Sequence, residues 1–242
     1  MNEYSQVVAN LKNVWEASTN SELGFWDRWI ETRGHHWPDG YQRRMDPELE
    51  IQPFLAELLP DHNAPRILDI GCGPVTHLGR RFKGEPVEIV SVDPLADGYN
   101  ELWQKHGVTP PVPVVPGFGE TLLEQFAEAS FDIVHSTNAI DHSADPIKFI
   151  NTAVRLAKVG GRVFLTVQEN EGVHANYSGL HQWNFEYNEA GLRLWNPEIE
   201  VPLASWLDSF GETRISAHRG REDGRMITII IHRKAEEITF PL

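Results

Sequence analysis

Residues 66–73 read Arg-Ile-Leu-Asp-Ile-Gly-Cys-Gly, and no other stretch restricts the possible fold as tightly. Ile67, Leu68 and Ile70 make an apolar strand, with Gly71 and Gly73 opening a turn directly behind it. A strand that ends in glycines is where an open α/β sheet meets a ligand, because backbone without side chains can approach it closely. Ile89-Val90-Ser91-Val92-Asp93 supplies a second, β-branched strand that ends in an acid. Asp93 follows the turn by about 20 residues, the separation at which a βαβ unit brings a carboxylate to a ribose diol. Two hydroxyl donors on one carboxylate make a strong pair.

The residues around the turn indicate which nucleoside is meant. A dinucleotide turn seats pyrophosphate on the next helix and usually needs a third glycine. Here Pro74, Val75 and Thr76 follow Gly73, and Asp69 would repel a diphosphate. The same acid favours a cationic amino-acid end or a sulfonium, which S-adenosylmethionine carries without any phosphate. A nicotinamide-dependent oxidoreductase on the same architecture is the main alternative.

Arg66–Gly73 resembles motif I of the class I S-adenosylmethionine-dependent methyltransferases, and Asp93, followed by Pro94, matches their ribose-binding acid. Gly117-Phe118-Gly119-Glu120 falls where that family places its adenine-side acidic loop. Phe131–Ser136 resembles the fourth-strand motif, and Asn138-Ala139-Ile140-Asp141-His142 continues it. Lys158-Val159-Gly160-Gly161 is similar to the family's Lys-Pro-Gly-Gly turn, with Val159 in place of proline. The resemblance runs roughly from residue 60 to 235. It implies an α/β, Rossmann-like sheet of seven mostly parallel strands closed by an antiparallel C-terminal hairpin. It also implies a cofactor pocket built from Asp69, Gly71, Cys72, Gly73, Asp93, Pro94, Phe118, Gly119, Glu120 and Asn138. Cys72 reads as a small packing residue of the turn. A catalytically silent cofactor-binding subunit would carry the same motifs.

Apolar periodicity gives the organisation. Residues 1–60 read as an N-terminal helical cap and 61–242 as the methyltransferase-like domain. In the cap, Val7, Val8, Leu11, Val14 and Trp15 recur at helical spacing, as do Leu23, Trp26, Trp29 and Ile30. Asp46-Pro47-Glu48 predicts a helix start, with Ile51, Phe54, Leu55, Leu58 and Leu59 on one face. Strands are expected near 66–70, 87–92, 112–115, 131–135 and 162–168, and helices near 75–82, 97–106, 121–129 and 145–157. Residues 211–218 and 225–232 read as a hairpin around Gly220–Gly224. Residues 170–200 exceed the minimal fold; Trp183–Tyr187 and Leu192–Trp195 suggest a hairpin that acts as a lid.

Composition narrows the function classes. A formal charge of −14 argues against nucleic acid, which is bound by neutralising phosphates. No apolar run reaches the ~18 residues of a membrane span, and the first residues lack a basic and apolar leader pattern. One cysteine excludes an intramolecular disulfide framework and fits a reducing cytoplasm. A small polar acceptor is therefore the expected partner. His142, which follows the fourth strand, and His181, in the lid, are the candidate general bases, with Asp141 able to orient the first. They favour O-methylation over N-methylation. Arg44 is a candidate grip for the cofactor's carboxylate. No His-x3-His or Cys-x2-Cys spacing occurs, so no metal is expected. The sequence says nothing about oligomeric state.

Overall fold

The computed structural model describes residues 3–60, 65–220 and 224–234. The chain opens with α1 (Glu3–Glu31), α2 (Pro38–Met45) and a single turn, α3 (Pro53–Ala56). β1 (Arg66–Ile70) follows, then a small ribbon of β2 (Arg81–Phe82) and β3 (Glu85–Pro86). β4 (Glu88–Asp93), α4 (Ala96–His106), β5 (Val114–Pro116), β6 (Phe131–Thr137), α5 (Pro146–Leu156) and β7 (Ala157–Gln168) continue the alternation. Next come α6 (Glu171–His174) and the strands β8 (Asn184–Asn188), β9 (Gly191–Trp195) and β10 (Glu200–Pro202). α7 (Ala204–Asp208), β11 (Gly211–Arg219) and β12 (Arg225–Arg233) complete the described chain.

The main sheet has seven strands in the order β11-β12-β7-β6-β1-β4-β5. β5, β4, β1, β6 and β7 run parallel; β12 runs opposite to β7, and β11, antiparallel to β12, returns to the common direction. This is the expected doubly wound sheet with its closing hairpin; residues 221–223 of the expected turn lie outside the described residues. β1 has β4 on one side and β6 on the other, so the chain reverses its direction of winding there and leaves a crevice at the strands' carboxyl ends. One face of the sheet packs Leu68, Val134 and Leu165 against Ile147, Ile150 and Ala153 of α5. Asp145 starts that helix, its carboxylate accepting the Lys148 N–H at 3.0 Å. The opposite face packs Ile67 and Ile133 against Ile51, Leu55, Leu59 and Leu78.

The covering of that second face departs from expectation. No helix forms over 75–82; the chain runs irregularly from Gly71 to Arg80 and into β2. Its backbone groups are spent on residues 49–52 instead. The Arg80 and Arg81 amides both donate to the Leu49 carbonyl, and Ile51 donates to the Arg81 carbonyl. The Gln52 side chain donates to the His77 carbonyl and accepts from the Gly79 amide. For the same reason the helix expected from Pro47 shrinks to α3. Asp46 caps only a turn, accepting from the Glu48 amide at 2.9 Å, and Glu50 bridges to Arg81. A Cβ on Gly79 would lie 2.0 Å from the Glu50 carbonyl oxygen, a backbone atom that cannot swing aside. Gly79→Ala should cost about 2–3 kcal/mol through forced separation of the two segments. That corresponds to a melting temperature lower by roughly 4–12 °C, checked by thermal unfolding followed by circular dichroism.

Other differences are smaller. The two apolar stripes of the N-terminus belong to one helix, because Ser18, Thr19 and Ser21 bond back to carbonyls of the preceding turn and do not break it. The turn-rich stretch from Gly34 to Gly40 contains the start of α2 at Pro38. The helix expected over 121–129 is a 3-10 turn, Gly119–Glu124. Lys158–Gly161 forms a bulge inside β7, with Gly160 at φ +81°, and not a turn before it. The hairpin expected within 170–200 gains a third strand, β10, in its own sheet of order β10-β9-β8. Trp183 and Phe185 are fully buried core residues. No helix among the described residues is long and apolar enough to cross a membrane.

Candidate active site

Gly71 and Gly73 adopt φ of +70° and +68°, a backbone that L side chains resist. The resulting turn after β1 is fastened from β4: the Gly71 amide donates to the Val92 carbonyl, and the Gly73 amide donates to Asp93 Oδ2 at 2.9 Å. Asp93 Oδ1 accepts the Leu95 amide at 2.9 Å. Burial raises the Asp93 carboxyl to about 7, with Glu22 and Asp69 adding to the rise and the two amides opposing it. Above this turn lies a cavity of about 710 Å³. Its walls include Asp69, Gly71, Cys72, Gly73, Asp93, Pro94, Phe118, Gly119, Glu120, Asn138 and Arg44, together with His142 and His181. All the residues read from the sequence as binding or catalytic therefore line one space.

Several of them are committed to neighbours. Asp69 is 1% exposed, and both of its oxygens are taken. Oδ2 accepts the Thr76 hydroxyl at 2.5 Å, and Oδ1 is 2.7 Å from His135 Nδ1. Burial would raise the Asp69 carboxyl, but the pull of His135 and these bonds outweighs it and holds the group below the ordinary carboxylate range. An ionised carboxylate cannot donate, so His135 Nδ1 donates to it. His135 Nε2 in turn lies 3.0 Å from the Thr137 hydroxyl, which shares a hydrogen bond with the Thr166 hydroxyl at 2.7 Å. A continuous hydrogen-bond chain thus joins Asp69 to Thr166 through His135 and Thr137. Sequence reading missed this network; the in-register pairing of Asp69 with His135 across β1 and β6 creates it.

Cys72 is buried, its thiol donates to the Gly73 carbonyl, and burial pushes its ionisation well above normal. Burial and a protonated thiol make it a packing residue of the turn. Glu120 faces the cavity while accepting the Ala144 amide at 3.1 Å and the Asp145 amide at 3.3 Å. Phe118 is exposed to the cavity, 5.1 Å from the Trp15 ring of α1. Arg44 donates to the Val75 carbonyl at 2.9 Å, and its guanidinium lies over the rings of Trp26 and Trp29. Asn138 sits in the left-handed region at φ +49°.

The two candidate bases meet. His142 Nε2 lies 3.0 Å from His181 Nδ1, and Asp141 Oδ2 lies 3.1 Å from the same His181 nitrogen. Asp141 is 2% exposed. Burial opposes its charge and that of His181, yet mutual attraction prevails: Asp141 is held low and His181 is raised. Glu171 of α6 approaches His181 to 3.9 Å. Asp141 was expected to orient His142, but its hydrogen bond goes to His181, with His142 at 3.5 Å. His181 stands 39 residues from His142 in sequence, so no spacing rule could have paired them.

Residues 41–211, more than half of the chain, match the family model described as a methyltransferase domain. The chain belongs to that family. It is a class I S-adenosylmethionine-dependent methyltransferase, and the oxidoreductase alternative is set aside. Among curated relatives, the ubiquinone biosynthesis O-methyltransferase of Hahella chejuensis is 27% identical over 72% of this chain and 79% of its own length. The 27-O-demethylrifamycin SV methyltransferase of Amycolatopsis mediterranei is 26% identical over 61% of this methyltransferase and 57% of itself. Two solved structures share the fold. The methyltransferase CalH, in complex with S-adenosylhomocysteine, has a TM-score of 0.53 at 15% identity, with 76% of this chain and 55% of that one covered. A possible histamine N-methyltransferase of Thermotoga maritima gives 0.51 at 18% identity, covering 93% and 100%.

Proposed function

We propose that this methyltransferase transfers the methyl group of S-adenosylmethionine to the hydroxyl of a small polar acceptor. The observation that carries this reading is the Asp141–His142–His181 cluster, which shares one cavity with the glycine turn and Asp93. The methionine end of the cofactor lies against Gly71, Gly73 and the wall containing Asp69, with Arg44 as a partner for its carboxylate. Asp93, beside Pro94, accepts the ribose hydroxyls. Phe118, Gly119 and Glu120 border the adenine, and Asn138 stands between cofactor and acceptor. The acceptor occupies the remaining space, under α1 and the 170–200 segment.

Transfer is an in-line displacement. The acceptor oxygen bonds to the methyl carbon, the carbon–sulfur bond breaks, and its electron pair stays on sulfur to give S-adenosylhomocysteine. The hydroxyl proton passes to the histidine–aspartate cluster. An amine acceptor would need no such group once deprotonated, and the curated O-methyltransferase relatives agree with a hydroxyl. Holding the reactants in line and excluding water supplies most of the acceleration.

Incubation of the enzyme with a metabolite extract and deuteromethyl-labelled cofactor, followed by mass spectrometry, should reveal an O-methylated product. His142→Ala should lower its yield by about 10²-fold or more while leaving S-adenosylhomocysteine affinity intact. A labelled amine, or undiminished turnover in the variant, would defeat the reading. Phe118→Ala should weaken S-adenosylhomocysteine by about 1 kcal/mol, roughly fivefold, through lost ring contact. Isothermal calorimetry measures this.

A further inference from the structure

The Asp141–His142–His181 cluster has a geometry that hydrogen bonds alone do not satisfy. His142 Nε2, His181 Nδ1 and Asp141 Oδ2 form a triangle with sides of 3.0, 3.1 and 3.5 Å. An ionised carboxylate only accepts, and each imidazole nitrogen either donates one proton or presents one lone pair. A proton on His181 directed at Asp141 leaves the His142 nitrogen facing a donor already engaged. A proton on each histidine sets two N–H groups against each other. One cation at the centre satisfies all three atoms at once. Three ligands about 2.1 Å from a divalent ion stand roughly 3.0 Å apart on an octahedral face and ~3.4 Å apart in a tetrahedron. The three sides fall across that range.

A second observation points the same way. Asp141 is almost wholly buried, and its other oxygen, Oδ1, has no hydrogen-bond partner among the described residues. Leaving such a carboxylate oxygen unpaired is costly unless a cation balances the charge. Glu171 Oε2 is buried and likewise without a hydrogen-bond partner, while Oε1 of the same carboxylate is 3.9 Å from His181. His142 and His181 retain side-chain exposures of 21% and 33%, and both line the cavity, so the centre is open on the acceptor's side.

We infer that Asp141, His142 and His181 form a site for a first-row divalent cation with vacant positions toward the acceptor. Two imidazole nitrogens and one carboxylate oxygen select zinc or iron over magnesium and calcium, which prefer oxygen alone. The cation draws the acceptor hydroxyl onto itself and lowers its pKa. With Asp141, His142 and His181 holding the cation, their nitrogens and carboxylate no longer take the hydroxyl proton; Glu171 receives it instead, and the oxygen then bonds to the methyl carbon as the carbon–sulfur bond breaks. This catalytic half rests on the O-methylation reading; the binding half does not.

The test uses the full chain, stripped with a chelator and titrated calorimetrically with zinc and separately with magnesium. Cobalt absorption spectra report the ligand set. One equivalent of zinc should bind, with magnesium much weaker. His181→Ala, a partly exposed position, should weaken zinc at least ~100-fold, as should Asp141→Asn. His35→Ala/His36→Ala, at the adjacent surface pair, should leave that equivalent in place. S-adenosylhomocysteine affinity in each preparation shows that the fold survives. Absence of zinc and cobalt binding, or binding indifferent to His181→Ala, would overturn the site. Zinc bound as expected beside an N-methylated product would refute the acceptor assignment and leave the site standing. Full O-methylation by protein that binds no cation would do the reverse.

Discussion

Asp69→Ala should lower stability by about 3–5 kcal/mol, the usual result of deleting one member of a buried charged pair. At roughly 2–4 °C per kcal/mol for a chain of this size, the melting temperature falls on the order of 10 °C. The cause is local and specific. His135 Nδ1 and the Thr76 hydroxyl both point at this carboxylate, and each is completely buried. Alanine strands both donors and leaves the chain through Thr137 and Thr166 without an end. Thermal or urea unfolding of the variant checks the prediction. The measurement also separates two roles for the residue. A carboxylate that mainly gripped the cofactor would leave the unliganded protein's stability nearly unchanged when removed, whereas one that organises the pocket floor would not.

Asp93→Ala should weaken S-adenosylhomocysteine by about 1–3 kcal/mol, roughly 5- to 150-fold. Two effects combine: the ribose loses its acceptor, and the amides of Gly73 and Leu95 lose theirs, which loosens the turn. A pH series sharpens the test. The folded-state pKa of Asp93 is raised to about 7, so the unliganded protein holds this proton more tightly than the unfolded chain does. The associated stability is complete below the unfolded pKa and is lost as pH rises through 7. Ribose hydroxyls donate to the ionised form, so cofactor affinity should move the opposite way and increase across the same interval. Asp93→Asn should flatten that dependence. A wild-type affinity that does not vary with pH near 7 would contradict the ribose assignment.

Backbone requirements were the most legible part of this chain. Gly71, Gly73 and Asp93 mark a strand, a left-handed turn and a second strand end, and each is dictated within a few residues. The alternating strands and helices from 88 to 168 follow from local apolar pattern in the same way, except over 121–129, where a 3-10 turn stands in for the expected helix. The largest failure has a definite origin. Residues 75–82 have a sequence that can form a helix, but Leu49, Ile51 and Gln52 compete for its amides and carbonyls from outside the segment. Nothing within the segment announces that competition. The cofactor-side residues of the site were readable for the same reason as the turn. The pairing of His142 with His181 was not, since it depends on how the chain between 170 and 183 folds back over the crevice.

The stitching of residues 49–52 to 77–81 bears on how this enzyme could be shortened. A truncation that begins at the first sheet strand, on the assumption that everything before it is an accessory, would remove the hydrogen-bonding partners of the stretch leaving the nucleotide loop. It would also expose Leu78 and Ile67 to water. The smallest autonomous catalytic unit therefore starts upstream of Leu49, and any fusion or library built on this scaffold has to keep that piece.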